Sequence, residues 1–178
     1  IKLLEIGVQK GGSLRLWRDY FPKSKIYGID VVGKFRKESG DRIQVCAPVD
    51  AGSREDLSKL IDDIGGDFDV IIDDGSHLPK DVIKSFHLLF PSLETNGLYF
   101  VEDMQTSYIH FFRGNPFDLK YANTHMNFFK HLTDRLNYQE IANPFYISNK
   151  STYLKKNNRF CKNPIYFLTE FCGRHGKF

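Results

Sequence analysis

The apolar residues of this chain fall into short unbroken runs, separated by stretches in which they recur at helical spacing. Leu3, Leu4 and Ile6 form the first run, over 2–7; residues 25–29 and 43–46 form two more, and Val70-Ile71-Ile72 and Leu98-Tyr99-Phe100-Val101 the last two. Runs that stay apolar at consecutive positions predict strands buried on both faces. Between them, Leu14, Trp17 and Phe21 share one helical face, with Ser13 placed to cap it. Leu57, Leu60, Ile61 and Ile64 make a second amphipathic helix, closed by Gly65-Gly66. Val82, Ile83, Phe86, Leu89 and Phe90 make a third, stopping before Pro91. Strand alternating with helix predicts an α/β, Rossmann-like fold: a mostly parallel sheet with helices on both faces. After the fifth strand the pattern breaks. Residues 104–121 crowd Tyr108, His110, Phe111, Phe112, Phe117 and Tyr121 into a loop with Gly114 and Pro116. A helix is expected over 122–137, with Met126, Phe129, Leu132 and Leu136 inward, and a last strand at 165–168.

Size and composition narrow the picture modestly. A chain of 178 residues is expected to form one domain, 1–178, with a core large enough to need no disulfides. The net charge of +3 is mild and its positive residues are scattered, which does not suggest a nucleic-acid surface. Cys46, Cys161 and Cys172 are odd in number and lack metal-ligand spacing, so reduced thiols in the cytoplasm are expected. No run approaches the roughly 20 apolar residues of a membrane span, and no signal-peptide pattern opens the chain. It begins inside a strand and without methionine, which points to a preceding segment.

Candidate chemistry sits where the runs end. VIIDDGSH (70–77) and YFVED (99–103) both stop abruptly in acid: Asp73 and Asp74, then Glu102 and Asp103. Ligands of open parallel sheets bind at the carboxyl ends of the strands. If these two strands are neighbours, Asp74, Glu102 and Asp103 converge, with His77 one short turn away. Strand ends often carry acids simply because they meet water. Two runs each ending in paired acids, one followed by Gly-Ser-His, favour instead a hard divalent cation with oxygen ligands. The first strand leads into GVQKGGS, which lacks the GxGxxG of a dinucleotide site, and Asp30 ends the second strand about 20 residues further on, where an acid meets ribose hydroxyls. Glu5, Gly7, Gly11, Asp30 and Asp50, at successive strand ends, favour a cofactor site over a set of simple turns.

Glu5-Ile6-Gly7 resembles the first motif of class I S-adenosylmethionine methyltransferases. LEIGVQKGGSLRLWRDYFP, IYGID, FDVIIDDGSH, SFHLLFPSL and GLYFVEDMQTSY together resemble the metal-dependent sugar O-methyltransferases, the mycinamicin-type enzymes that tailor macrolides and bacterial polysaccharides. The likeness runs from Ile1 to about Tyr108 and continues more weakly through NTHMNFFKHLTDRLN. Residues 144–178 diverge, and Val-Asp-Ala stands at 49–51 where the family tends to carry Gly-Asp-Gln. The resemblance implies a class I methyltransferase fold using S-adenosylmethionine and Mg²⁺. Asp74, Glu102 and Asp103 would hold the metal and His77 would act as general base, histidine being the side chain that titrates near neutrality. Ser13 and Asp73 would join Glu5, Gly7, Gly11, Asp30 and Asp50 at the cofactor. Gln105, Thr106 and Tyr108 would line the acceptor site, and the partner would be a small glycoside or sugar. The family often forms oligomers, which admits a homo-oligomer here. A catechol or other vicinal diol would suit the same metal logic, and a cofactor-binding domain without catalysis is a further reading. His87, His110, His125, His131 and His175 lack acidic company and are expected to be structural.

Overall fold

The computed structural model describes residues 1–137. The strand expected at 165–168, Cys161, Cys172, His175 and the divergent 144–178 segment lie outside the described residues. Five strands, β1 (Lys2–Ile6), β2 (Lys25–Ile29), β3 (Ile43–Cys46), β4 (Phe68–Asp73) and β5 (Leu93–Val101), form a parallel sheet in the order β3-β2-β1-β4-β5. Four helices accompany them among the described residues: α1 (Gly12–Tyr20), α2 (Arg54–Ile64), α3 (Pro79–Leu89) and α4 (His125–Leu136). None of the described helices is long and apolar enough to cross a membrane.

Successive side chains of a strand point to opposite faces, so a strand covered on both faces reads as one apolar run. Leu3 packs on one face with Ile26, Val45, Ile72 and Leu14 of α1. Leu4 and Ile6 pack on the other, with Ile71 and Tyr99 of the sheet, Leu57 and Leu60 of α2, Phe86 of α3 and Phe129 of α4. Leu4, Ile71, Phe86 and Leu89 are fully enclosed, and each such side chain contributes about 1.5–3 kcal/mol over its exposed state.

Three local expectations are corrected. Ser13 does not cap α1: Gly11 holds the cap position in the left-handed conformation, and Ser13 lies inside the first turn with its hydroxyl turned to Glu5. Strand β5 starts at Leu93 rather than after Asn96-Gly97, because Leu93 already pairs with Phe68 before a register shift near Val70. Leu136, expected inward, is 48% exposed as the last residue of α4. The Gly65-Gly66 stop of α2 is reinforced by a residue no local pattern reveals. Lys2 Nζ donates to the carbonyls of Ile64, Gly65 and Gly66 at 2.7, 3.0 and 2.6 Å, meeting the orphan acceptors of the helix end.

Candidate active site at the carboxyl edge of the sheet

Register alone sets the site. Ile6 stands opposite Asp73, and Asp73 opposite Val101, so the next residue of each strand falls in one row at the carboxyl edge. Gly7 N–H donates to the Ile29 carbonyl at 2.9 Å, Asp74 N–H to Ile6 at 3.1 Å and Glu102 N–H to Asp73 at 2.9 Å. Asp30, Gly7, Asp74 and Glu102 are thereby drawn up side by side. Asp103 follows in the left-handed conformation (φ 51°, ψ 38°) and starts a 3₁₀ turn over Met104–Tyr108.

A cleft of about 230 Å³ opens above this row, lined among others by Gly7, Asp30, Asp50, Asp73, Asp74 and Ser76. Asp30 Oδ2 accepts from the amides of Val8 (3.0 Å) and Gln9 (3.3 Å), and Oδ1 from Val32 (2.8 Å). It locks the loop after β1 to the tip of β2, yet a carboxylate has about four lone-pair sites, so acceptor capacity remains for a hydroxyl ligand. Asp50 Oδ1 accepts from Gly52 N–H at 2.7 Å. Asp73 is buried and accepts from the Ser85 hydroxyl, Gly75 N–H and Tyr99 Oη. Burial pushes its carboxyl up, against the pull of those donors.

Glu5, Gly11 and Ser13 stand outside the lining of this cleft. Alternation puts Glu5 on the α1 face of the sheet, where its carboxylate accepts from the Ser13 hydroxyl and from Trp17 Nε1 at 2.6 Å. Burial raises its pKa, partly offset by these two donors. In this structure the acid ties α1 to β1.

Two of the acids beyond the tips, Asp74 and Asp103, meet around His77, and Glu102 stands outside that group. His77 Nε2 lies 3.8 Å from Asp74 Oδ1 and 3.6 Å from Asp103 Oδ2, and one ligand atom from each of these three residues lies within 4.8 Å of the others. Glu102 is close enough to feel both acids. Its carboxyl is pushed up by desolvation first, then by the charges of Asp74 and Asp103, with His77 opposing. Desolvation also raises Asp74, His77 opposing and Asp103 reinforcing. Among the described residues no lysine or arginine pairs with any of these three acids. Crowded carboxylate oxygens with no cation to balance them fit a hard divalent ion.

The 3₁₀ turn puts its side chains to different uses. Gln105 Nε2 donates to Asp103 Oδ1 at 2.8 Å, so it touches the acid cluster directly. Tyr108 is half-buried. Thr106 turns inward instead: it is 3% exposed, and its hydroxyl donates to the Asp103 carbonyl at 2.7 Å. Phe112 packs edge-on against His77, ring centroids 5.9 Å apart, while Phe111 and Phe117 are 85% and 89% exposed nearby in sequence. Sequence reasoning overlooked Ser85 and Tyr99, which hold Asp73, because a serine in a helix and a tyrosine in an apolar run carry no signal of their own.

No protein-family model matches the chain. It is 39% identical over 148 residues to the 8-demethyl-8-alpha-L-rhamnosyl tetracenomycin-C 2'-O-methyltransferase of Streptomyces olivaceus, a match covering 79% of this chain and 38% of the relative. It is 36% identical over 151 residues to the mycinamicin VI 2''-O-methyltransferase of Micromonospora griseorubida, covering 79% of this chain and 36% of the relative. Among solved structures it resembles the MycE methyltransferase of the mycinamycin biosynthetic pathway, in complex with Mg and SAH, with a TM-score of 0.72 and 37% identity over 79% of this chain and 37% of that one. The chain thus spans less than two fifths of the length of these relatives.

Proposed function

We propose, on the premise that the matched 79% of this chain belongs to the family of sugar O-methyltransferases, that the protein transfers a methyl group from S-adenosylmethionine to a sugar hydroxyl. The observation that carries the proposal is the pair of acids gathered on His77 beside a cleft at the carboxyl edge of the sheet, with no lysine or arginine balancing them among the described residues. MycE was crystallised with Mg, SAH and mycinamycin VI, which supports the same pairing of cofactor and metal here. Asp74, Glu102 and Asp103 would hold Mg²⁺, whose Lewis acidity toward two vicinal hydroxyls is the chemistry the ion supplies. S-adenosylmethionine supplies an electrophilic methyl group. Asp30 and Asp50 would accept from its hydroxyls and amino groups.

The chain's own part is placement and proton transfer. His77 Nε2 faces the acid cluster and takes the acceptor's hydroxyl proton as the oxygen–carbon bond forms and the sulfur–carbon bond breaks. Asp74 and Asp103 flank the imidazole and stabilise the cation it becomes. Gln105 keeps Asp103 aimed at the site. Phe112, edge-on to His77, and Phe111 packed against it would give the approach an apolar wall, suited to a glycoside whose aglycone is apolar.

The test is methyl transfer from radiolabelled S-adenosylmethionine to a panel of rhamnosides, other glycosides and catechols, with MgCl₂ or with EDTA. Labelled glycoside that disappears in EDTA is the expected result. Metal-dependent labelling of catechols alone would move the acceptor class. Cofactor binding without labelling of any diol would refute catalysis.

A further inference from the structure

Two residues of the metal and base end sit in the left-handed backbone region that L side chains rarely adopt: His77 (φ 57°) and Asp103 (φ 51°). Such conformations persist only where the surroundings hold them. One side chain reaches both. Thr106 Oγ1 donates to the Asp103 carbonyl at 2.7 Å and stands 3.4 Å from the His77 carbonyl. Behind it lies His125, wholly buried at the start of α4, with Nε2 3.4 Å from the same hydroxyl.

His125 is a poor choice as mere filling. Its Nδ1 is buried with no hydrogen-bond partner, a penalty that an apolar side chain of similar size would not carry. Burial pushes its pKa down to about 4, His77 adding to the shift and the Met104 carbonyl opposing it, so the ring is neutral at neutral pH. A neutral imidazole carries one proton. His125 Nε2 meets Thr106 Oγ1 at 3.4 Å, as donor or acceptor according to the tautomer. A hydroxyl also has a single proton. The Asp103 carbonyl, at 2.7 Å, takes that proton, with the His77 carbonyl and His125 Nε2 each 3.4 Å from the same oxygen.

We infer that Thr106 and His125 form a positioning clamp that holds the Asp103 turn and the His77 turn in one fixed relation. The clamp sets the spacing between a metal acid and the base, and in that respect it rests on the function proposed above. Neither residue touches the reacting atoms. Thr106, expected from the sequence to line the acceptor site, acts from beneath it.

The test uses the full chain in two measurements. In metal-free protein followed by amide hydrogen exchange, Thr106→Val is expected to speed exchange about tenfold in segments 75–78 and 103–109 together, with β1 and α2 unchanged. Thr106→Ser is expected to restore wild-type protection, and His125→Leu to weaken both turns as Val does. In calorimetric titration with MgCl₂, Thr106→Val should bind the ion about tenfold more weakly, in the range found for groups that orient metal ligands, while SAH affinity stays within about twofold. Exchange that rises in one turn only, in neither, or equally throughout the chain overturns the clamp. So does a Thr106→Val protein that binds Mg²⁺ as tightly as a wild type that holds the ion, or failure of Thr106→Ser to rescue. A wild-type protein that binds no Mg²⁺ yet shows the paired exchange response refutes the metal reading and supports the clamp.

Discussion

Gly7→Ala strikes the contact on which the whole edge row depends. Gly7 has φ +95°, and a Cβ built there would lie 2.3 Å from the Asp74 carbonyl oxygen, 3.0 Å from its carbon and 3.3 Å from Gly75 Cα. All three are backbone atoms, so no side chain can swing aside. Placing an L residue at such a φ costs about 1–3 kcal/mol. Relieving the clash means parting the tips of β1 and β4, which sacrifices the 3.1 Å bond from Asp74 N–H to the Ile6 carbonyl at about 1 kcal/mol. With the displaced packing, the expected destabilisation is about 3–5 kcal/mol, at the upper end of point-mutation effects. For a domain of this size that lowers Tm by about 6–20 °C. Gly12→Ala is the control. It sits in the first turn of α1, where an added Cβ meets nothing within 4 Å, and should stabilise by about 0.4–1 kcal/mol. Thermal unfolding by circular dichroism reads both. A Gly7→Ala protein melting within about 2 °C of wild type would refute the argument that β1 and β4 touch here without room for a methyl group. The displaced backbone is that of Asp74, so Mg²⁺ affinity should fall with stability in this variant.

The remaining predictions concern the site itself. His77→Ala should reduce methyl transfer by about 10²–10⁴-fold while leaving SAH affinity, measured by calorimetry, within about twofold; equal losses in both would contradict its role as base. Asp74→Asn and Glu102→Gln should each raise the Mg²⁺ concentration for half-maximal turnover by tenfold or more, and an unchanged requirement would count against the metal site. Asp74 and Glu102 have raised pKa values, so protons compete with the cation at higher pH than at ordinary carboxylates, whose pKa lies near 4. Mg²⁺ binding should therefore weaken as pH falls, starting above that value, and a titration that stays flat down to pH 4 would exclude the shift. Phe111→Ala should raise KM for an apolar glycoside several-fold with Tm unchanged, since the ring is 85% exposed and packs on the Phe112 ring beside His77; equal KM for both proteins would remove it from the acceptor path.

Much of this architecture is legible in the sequence. The consecutive apolar residues Leu3-Leu4 and Ile71-Ile72 announce strands covered on both faces, because alternation would otherwise leave one face polar. The acids after them announce the ligand edge. Ser13 shows where such reading fails. A serine before an apolar face resembles a helix cap, but the buried Glu5 carboxylate competes for its hydroxyl and wins. Thr106 fails for a similar reason. Following two acids, it reads as a surface residue of the site, and only the path of the 3₁₀ turn rotates it beneath them.

By itself the sequence determined the elements, their order and the residue types at the carboxyl edge, since these follow from local periodicity and from where each apolar run stops. Tertiary structure decided strand order and register, and with them which acids meet. Asp74 and Asp103 are distant in the chain, and they share an imidazole only because β4 pairs with β5 in the register that aligns Asp73 with Val101. It also decided which polar groups look into the cleft and which are held inside, as with Asp30 and Asp74 against Glu5, Thr106 and His125. A side chain's hydrogen-bond partner is a fact of three-dimensional neighbours, and no spacing along one chain encodes it.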